Sequence, residues 1–362
     1  MADNTERINV TKVFLPPLEE YEQYLAQIWE NNQITNQGPM LQTFEDKMRE
    51  YLGVENFHLV TNGTIALQLA LHGLGITEGE VITTPFSYVA TTSSILWEHC
   101  KPIFVDIEPN TFCIDATKIE AAITNQTKAI MAVHVFGFPC DIEKIESIAQ
   151  KHNLKVIYDG AHAFGVKYKG KSLLSYGDIA TCSFHATKLF HTVEGGALIV
   201  RDQATSQKVE LMKKFGQDGD NHYMLGINAK ASELQAAMGL SNLKHIDEIL
   251  LSRKEAYRCY MELLGDNVQL PPTKGDLEYN YSYFPVVFKN EAQLLETVKI
   301  LNEANIYPRR YFYPSLNNLS YLEQPQYCPI SESVASRVAC LPLYVGLERA
   351  IIEKIAGIIN GT

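Results

Sequence analysis

The sequence predicts an α/β protein with a large domain around a mostly parallel sheet and a smaller C-terminal α/β domain. From about residue 58, short apolar segments of strand length alternate with segments of helical length, a pattern typical of a parallel sheet covered by helices. Two strand-like segments, Ile179–Ser183 and Ala197–Val200, then follow each other closely, which indicates a change of strand order and an antiparallel member. A long helical pattern over Ala229–Leu264 leads into the smaller domain.

The individual elements follow from this alternation. Helices are predicted at Leu18–Asn31, Met40–Leu52, Thr64–Leu74, Val89–His99, Ala116–Ile123, Ile142–His152, Glu291–Ala304, Ser331–Val338 and Leu347–Ile358. Further strands are predicted at Glu80–Thr84, Pro102–Val105, Lys128–Val133, Lys155–Tyr158 and Tyr281–Phe288. We therefore expect residues 1–240 to form the large domain with an N-terminal entry segment, and residues 241–362 to form a long linking helix and the small domain.

Composition excludes several functional classes. The chain has 362 residues, 46% hydrophobic and 20% charged, which is ordinary for a globular enzyme. A formal net charge of −11, without any Lys- or Arg-rich run, argues against a nucleic-acid partner. Apolar stretches have strand length, so we expect no membrane span, and no secretory signal is expected at the N-terminus. Seven cysteines without a CxxC pair indicate a reducing compartment, so we expect a cytoplasmic protein.

The most specific chemical pattern is an acid and a lysine that follow two of the predicted strands. Asp159 ends one strand, Ser183 ends another, and Lys188 lies on the loop beyond it. Ligands of open parallel sheets bind beyond the carboxyl ends of the strands, so these residues are expected to meet. A pyridoxal 5'-phosphate (PLP) enzyme needs a lysine that forms an imine with the cofactor aldehyde and a carboxylate that keeps the pyridine nitrogen protonated. A hydroxyl near the lysine can bind the phosphate. The pattern therefore predicts PLP, with Lys188 and Asp159 as catalytic residues.

Each candidate also has an ordinary structural explanation. A lone lysine is usually a solvated surface residue, and an aspartate after a strand is often an N-cap. The Asn62-Gly63-Thr64 run opens a helix whose N-terminus can bind an anion, although a plain cap is common. Tyr88 is either a ring that stacks on the cofactor or a core aromatic, and His162 is either structural or a contact of the cofactor's phenolic oxygen or of Asp159. The histidines lack the paired spacing of metal sites, so no metal is predicted.

These residues belong to a series of motifs that resembles the DegT/StrS-type PLP-dependent nucleotide-sugar aminotransferases over roughly residues 8–360. In chain order the motifs are Thr35–Pro39, Asn62–Leu67, Ser87–Thr91, Val105–Ile107, Asp159–Gly165, Ser183–Lys188, Glu194–Gly196 and Asn228–Ala237. The resemblance implies a fold like that of aspartate aminotransferase (fold type I) and a reaction between L-glutamate and a nucleotide-linked keto sugar. It also implies a homodimer with shared active sites.

The same resemblance implies a role for each cofactor residue. Lys188 would form the imine with PLP and carry the proton, and Asp159 would pair with the pyridine nitrogen. Tyr88 would stack on the ring, and His162 would contact the phenolic oxygen. Gly63, Thr64 and Ser183 of one chain would hold the phosphate. Asn228 would reach the same phosphate from the partner subunit.

Three features resemble the branch of the family that acts on dTDP-linked 4-keto-6-deoxy sugars. His162 and Lys230 stand where most members have Gln and Arg, and the run Tyr307–Pro314 is rich in aromatic and basic residues. The implied substrate contacts are Lys230, Arg309, Arg310 and Tyr311, and a surface ion pair is the ordinary alternative for the two arginines. The implied product is a dTDP-4-amino-4,6-dideoxy sugar for surface polysaccharide, such as the O-antigen of lipopolysaccharide or a capsule.

Three alternatives stay open at this point. A 3-keto sugar aminotransferase of the same family would differ in the carbon that receives the amine. A PLP sugar dehydratase of the same fold would carry a histidine in place of Lys188, and a non-catalytic regulator would not need Lys188 or Asp159. Both residues are present, which favours the aminotransferase.

Overall fold

The computed structural model describes residues 7–272 and 275–362. Its helices are α1 (Leu18–Asn31), α2 (Pro39–Leu52), α3 (Gly63–Gly73), α4 (Ala90–Trp97), α5 (Ala116–Ile119), α6 (Ile142–His152), α7 (Gln203–Met212), α8 (Glu233–Leu243), α9 (Ile246–Leu263), α10 (Glu291–Glu303), α11 (Pro329–Arg337) and α12 (Arg349–Gly361). Short 3₁₀ turns lie at Glu120–Ala122, Val135–Gly137, Leu173–Ser175 and Leu316–Asn318. Within the described residues no helix is both long and apolar enough to cross a membrane.

The strands fall into one large sheet and several small ones. In chain order they are β1 (Ile8–Asn9), β2 (Phe57–Val60), β3 (Glu80–Thr83), β4 (Lys101–Phe104), β5 (Thr127–Val133), β6 (Lys155–Asp159), β7 (Lys167–Tyr168), β8 (Lys171–Ser172), β9 (Ile179–Ser183), β10 (Gly196–Val200), β11 (Gln217–Asp218), β12 (Asn221–His222), β13 (Val268–Gln269), β14 (Leu277–Glu278), β15 (Phe284–Phe288), β16 (Ile306–Tyr307) and β17 (Val338–Leu341).

The large sheet has seven strands in the order β2-β10-β9-β6-β5-β3-β4. Strand β10 is antiparallel to both of its neighbours, and every other pair is parallel. The predicted mostly parallel sheet with an antiparallel member is therefore confirmed. Its strands are apolar and buried, as expected for a sheet covered on both faces. The carboxyl ends of β6 and β9 bring Asp159 and Ser183 to the same edge.

A second, smaller sheet of order β13-β15-β17 lies in the C-terminal part of the chain. All its pairs are antiparallel, and its apolar residues pack with those of α9, α10 and α12 in a separate buried cluster. The predicted smaller α/β unit is consistent with this arrangement. The boundary expected at residue 240 lies inside α8, so the division at that position stays a prediction.

The predicted long helix over Ala229–Leu264 is wrong in one respect, because it is two helices. Helix α8 ends at Leu243 and α9 begins at Ile246. Both residues at the break pair with Glu20 of α1: Lys244 Nζ lies 3.3 Å and His245 Nε2 lies 3.1 Å from its carboxylate. Two acids in the first turn of α9 then favour a new helix start there.

Among the described helices and strands of four or more residues, three were not predicted, namely β2, α7 and β17, and neither were the two-residue strands. Strand β17 begins at Val338, a residue that the sequence pattern assigned to the end of a helix, and pairs with β15 inside the small sheet. Short segments of this kind have too few residues for a periodicity to distinguish helix from strand.

Candidate active site

A cavity of about 630 Å³ lies at the carboxyl ends of the large sheet. Its wall is formed by the start of α3, the segment before α4, the ends of β6 and β9 with the loops that follow them, and two segments of the C-terminal part. Those last segments contribute Tyr283, Arg309, Tyr311 and Phe312. Residues of five motifs from the sequence analysis therefore meet in one place: Asn62–Leu67, Ser87–Thr91, Asp159–Gly165, Ser183–Lys188 and Glu194–Gly196.

Asp159 lies at the bottom of this cavity, where it is 5% exposed. Its Oδ2 accepts a hydrogen bond from Thr91 Oγ1 at 2.8 Å, and its Oδ1 accepts one from the Ala161 N–H at 3.1 Å. Ser87 Oγ lies 2.8 Å from Thr91 Oγ1, and since Thr91 gives its only proton to Asp159, Ser87 donates. Burial raises the pKa of Asp159, while Thr91, Ala161 and the charge of Lys188 oppose that rise. A cationic partner in the cavity would favour the charged form of this carboxyl group.

Thr91 is a residue that sequence reasoning missed as a partner of Asp159. It lies in the first turn of α4, one helical turn beyond Ser87, and its side chain is fully buried. The signal was its presence in the Ser87–Thr91 motif, but no spacing rule links it to a residue on β6. The contact exists because α4 packs beside the carboxyl end of the sheet.

Lys188 lies on the loop after β9 and is half-buried. Its backbone N–H donates to the carbonyl of His185 at 2.9 Å, which closes a turn that directs the side chain into the cavity. The Nζ atom donates to Tyr283 Oη at 3.2 Å. Tyr283 was not among the predicted site residues, and nothing in its sequence surroundings identifies it.

His162 faces the same cavity and is 6% exposed. Its Nδ1 accepts a hydrogen bond from the Phe136 N–H at 3.1 Å, and its ring stacks on Phe312 with centroids 5.7 Å apart. Burial, helped by the charge of Lys188, lowers the pKa of His162 well below its ordinary value. The imidazole is therefore neutral with its proton on Nε2, so it is a donor. Among the described residues the side-chain hydrogen bonds of Asp159 are to Thr91 and Ala161, so the alternative of a contact between His162 and Asp159 gains no support from this structure.

The phosphate end of the predicted site is built from the N-terminus of α3. Asn62 caps the helix, since its side chain accepts from the Ile65 N–H at 2.9 Å. A Cβ at Gly63 would lie 3.0 Å from Ser183 Cβ, so a larger residue would require the helix or β9 to shift by a few tenths of an ångström. Thr64 and Ser183 also line the cavity. A helix N-terminus with two hydroxyls beside it is a good anion site.

Tyr88 lines the cavity with a ring that is 59% exposed, so one of its faces is open to a ligand. Asn228 and Lys230 are placed differently. Lys230 Nζ donates to Asn228 Oδ1 at 2.8 Å and lies 5.2 Å from the ring of Phe215. The cavity lining of the same chain includes neither residue.

The two arginines of the aromatic run point to different places. Arg309 lines the cavity, its backbone pairs with Cys340, and its guanidinium lies 5.1 Å from the ring of Tyr311. Arg310 instead donates to Glu291 Oε1 and to a backbone carbonyl, both at 2.7 Å. Its predicted role as a substrate contact is therefore not supported by its position, whereas Arg309 is free to face a ligand. Tyr311 lines the cavity, and burial raises its pKa to about 12.

The chemistry of these side chains fits PLP. A lysine amine, a buried carboxyl group, a neutral imidazole donor and a helix N-terminus share one cavity, and each matches a different part of the cofactor. In the part of the chain that the structure describes, no group of three or more His, Cys, Asp or Glu side chains has an arrangement that would hold a metal ion.

Comparison with known proteins agrees with this geometry. The DegT/DnrJ/EryC1/StrS aminotransferase family matches residues 18–360. A dTDP-4-amino-4,6-dideoxy-D-glucose transaminase from Shigella dysenteriae is 46% identical over 98% of both chains, and one from Escherichia coli is 41% identical over 99% of both. The solved structure of DesI in the presence of its TDP-sugar product has a TM-score of 0.93 at 29% identity, over 99% of this chain and 94% of that one. This chain is therefore an aminotransferase of the DegT/DnrJ/EryC1/StrS family, and its cofactor is PLP.

Proposed function

We propose that the protein transfers the amino group of L-glutamate to a dTDP-linked 4-keto-6-deoxy sugar, which gives a dTDP-4-amino-4,6-dideoxy sugar. The observation that carries this proposal is that Lys188, Asp159 and Arg309 face one cavity, which combines a proton carrier, a partner for the ring nitrogen and a cation for an anionic substrate. The sugar is inferred from the two transaminases that resemble the chain over almost its whole length.

Bound PLP supplies an electron sink for the reaction. Lys188 would hold the cofactor and carry a proton to and from the substrate carbon that bears the amino group, and Asp159 would keep the pyridine nitrogen cationic. The neutral His162 would be a donor for the phenolic oxygen, and Tyr88 would pack against the ring. Gly63, Thr64 and Ser183, at the start of α3 and the end of β9, would hold the phosphate.

Both substrates are anionic, although the protein has a net charge of −11. Binding must therefore rely on local cations. Arg309 is placed for this task in the chain's own cavity, beside Tyr311. Asn228 and Lys230 lie outside that cavity, so we infer that they act in the site of a second copy, in a homodimer with shared active sites.

The test is incubation of the purified protein with L-glutamate and dTDP-4-keto-6-deoxyglucose, with the position and configuration of the new amine determined by NMR. We expect amination at C4, and no product with the Lys188→Ala variant. The 3-keto isomer and a GDP-linked 4-keto sugar are the comparison substrates. Faster amination of the 3-keto isomer would replace the proposed substrate by the 3-amino alternative, and preference for the GDP-linked sugar would overturn the dTDP assignment.

We further propose that the reaction takes place in the cytoplasm and supplies an activated amino sugar for surface polysaccharide, such as O-antigen or capsule. All seven cysteines are buried, and no disulfide is present in the part of the chain that the structure describes, which is consistent with a reducing compartment. A nucleotide-activated sugar is the donor that a glycosyltransferase consumes. Loss of the amino sugar from the polysaccharide of a strain that lacks this protein would support the proposal, and an unchanged polysaccharide would contradict it.

A further inference from the structure

The Lys188 amine has a partner within its own chain. Its Nζ donates to Tyr283 Oη at 3.2 Å, while the centroid of the Tyr283 ring is 5.8 Å away. The shorter distance is to the hydroxyl group, so the contact is a hydrogen bond rather than a packing of the amine on the ring face. Tyr283 is 7% exposed and comes from the segment before β15, far from Lys188 in the sequence.

Buried hydrogen bonds hold the segment 280–283, which carries Tyr283, against the loop that follows Asp159. Asn280 Nδ2 donates to the carbonyls of His162 and Phe164, both at 2.8 Å, and Ser282 Oγ donates to the same His162 carbonyl at 3.1 Å. The ring of Tyr283 meets the ring of His162 edge-on, with centroids 4.8 Å apart. The hydroxyl of Tyr283 is thereby fixed relative to the loop that follows Asp159.

A buried arginine supports this segment from the other side. Arg253 of α9 is 5% exposed, and its guanidinium donates to the carbonyls of Tyr281 at 2.9 Å and Ser282 at 2.5 Å. Burial of the guanidinium lowers the pKa of Arg253 to about 10. Burying a cation on two carbonyl groups is unfavourable unless its hydrogen bonds are well placed. The two hydrogen bonds from Arg253 therefore restrain the backbone of Tyr281 and Ser282.

We propose that Tyr283 is a further catalytic residue, whose hydroxyl oxygen binds the Lys188 ammonium group whenever the lysine is not joined to the cofactor. This inference rests on the role of Lys188 in the proposed function. The neutral amine takes the proton from Cα of glutamate and becomes an ammonium group. Tyr283 Oη would then accept one hydrogen bond from it. Lys188 would give the same proton up to the bound cofactor and return to the neutral amine, and the phenol would keep its own proton throughout. Tyr283 would thus hold the Lys188 amine in position between the uptake and the release of the proton.

The test is the Tyr283→Phe variant, which keeps the ring and removes only the hydroxyl. Tyr281→Phe is the matched control, because Tyr281 is in the same segment and its ring packs on Tyr257 rather than near Lys188. The rate of reductive methylation of Lys188 is measured against pH by mass spectrometry, on the full-length protein without cofactor and loaded with pyridoxamine phosphate. For Tyr283→Phe we expect the methylation rate to reach its half-maximum at a lower pH, and methylation at neutral pH to be about three- to tenfold faster. The reason is that the ammonium form of Lys188 has lost a hydrogen-bond acceptor, so more of the reactive neutral amine is present. The other titratable and charged groups around Lys188 are unchanged in both variants: Tyr88, Asp159, His162, Cys182, His185, Glu194, Arg309 and Tyr311.

The second measurement is the single-turnover rate of each half-reaction. We expect Tyr283→Phe to slow the glutamate and sugar half-reactions by a similar factor, about tenfold or more, with KM for both substrates nearly unchanged. A Ser282→Ala variant, which loosens the segment, should change both readouts in the same direction by less. If methylation and both rates match those of Tyr281→Phe, the proposal is wrong. If the sugar half-reaction alone is slowed, Tyr283 is a substrate contact instead. The methylation and glutamate readouts do not involve the sugar, so they stand even if the proposed sugar is incorrect.

Discussion

At the scale of single residues, Asp159 combines a catalytic role with a cost in stability. Burial raises its pKa, so the native state binds the proton of this carboxyl group more tightly than the unfolded chain does. The associated stability is present below the unfolded pKa and is lost as pH rises through the raised native pKa. Above that native pKa the protein without PLP keeps a buried charge, which the hydrogen bonds from Thr91 and Ala161 and the charge of Lys188 only partly offset.

We predict that Asp159→Asn, without cofactor, is at least as stable as the wild type at neutral pH. The difference in thermal midpoint between the two proteins should widen as pH is raised from about 4 to 8, because only the wild type ionises. The glutamate half-reaction of the loaded variant should nevertheless be slowed by about a hundredfold or more, since a neutral amide does not keep the ring nitrogen cationic. A constant difference in midpoint, or an unchanged rate, would contradict this account of Asp159.

The two adjacent arginines provide a matched pair for the substrate. We predict that Arg309→Ala raises KM for the nucleotide sugar by about ten- to a hundredfold, the effect of losing a hydrogen bond to a charged group, and leaves the glutamate half-reaction nearly unchanged. Arg310→Ala removes a partly exposed ion pair with Glu291, so we expect a stability change within about 1 kcal/mol and little change in KM. Kinetics of both half-reactions, measured for both variants, distinguish a substrate contact from a structural ion pair. Normal sugar binding by Arg309→Ala, or an equal loss in both half-reactions, would remove Arg309 from the binding site.

Residues that the sequence placed at strand ends are those that the structure brings to the cavity. Asp159, Ser183 and Lys188 were predictable because the carboxyl ends of neighbouring parallel strands meet at one edge. Thr91 and Tyr283 were not, because their partners are on other elements and the contacts depend on how α4 and the C-terminal part pack on the sheet. The opposite directions of Arg309 and Arg310 likewise depend on the pairing of one backbone segment with Cys340.

At the scale of elements, a buried charge cluster holds the end of α7. Lys213 is 1% exposed and lies 3.3 Å from Glu45 of α2 and 2.8 Å from Glu210 of α7. Glu210 also pairs with His58 of β2 at 3.2 Å. The hydrogen bonds from His58 and the charge of Lys213 overcome burial and lower the pKa of Glu210 to about 2. The backbone of Lys213 accepts from the Ala229 N–H, so the cluster also fixes the segment that leads to α8.

We predict that Lys213→Met destabilises the protein by about 3–5 kcal/mol at neutral pH, because two carboxylates lose their buried cation. The neighbouring Lys214 is the control, since it is more exposed and lies 3.8 Å from Glu210, so Lys214→Met should change stability by about 1 kcal/mol or less. Urea unfolding of the three proteins measures both effects.

The same cluster gives a dependence on pH. The native pKa of Glu210 is below its unfolded value, so its contribution is present above the unfolded pKa of 4.5 and is lost as pH falls toward about 2. The stability difference between wild type and Lys213→Met should therefore shrink in that range. A difference that stays constant between neutral and acidic pH would show that the lost packing of the side chain, not its charge, causes the destabilisation.

Most of the alternating helices and strands could be predicted, and the exceptions have a common cause. The helix break at Lys244 depends on Glu20, which is far away in the sequence, and β17 is a strand because β15 offers it a partner. Periodicity describes which face of a segment is apolar, but tertiary partners decide where a segment ends.

At the scale of the whole molecule, the segment between α7 and α8 presents a surface that a single chain leaves uncovered. Its large apolar residues are exposed, at 49% for Phe215, 62% for Tyr223, 79% for Leu225 and 41% for Ile227. A cluster of exposed apolar side chains is typical of a protein interface. Asn228 follows this segment directly and is also exposed. If a partner subunit covers this segment, Asn228 of the first chain would lie close to the active site of the partner subunit.

We predict that mixing the inactive Lys188→Ala variant with an Asn228→Ala variant, which binds the cofactor weakly, restores activity. In a mixed dimer of Lys188→Ala and Asn228→Ala, one site combines the intact Lys188 of one chain with the intact Asn228 of the other, and the second site lacks both. If subunits exchange freely, about half of the dimers are mixed, so activity should approach about a quarter of that of the wild type, as expected from the symmetry of a dimer with shared sites. The glutamate half-reaction, followed by the cofactor's absorbance, measures the recovery, and a differently tagged wild type shows independently that subunits exchange. A double variant, Lys188→Ala with Asn228→Ala in one chain, mixed with wild type is the control, since each mixed dimer then keeps two half-complete sites. If exchange occurs but no activity returns, each chain builds its own site, and the exposed segment before Asn228 serves another purpose.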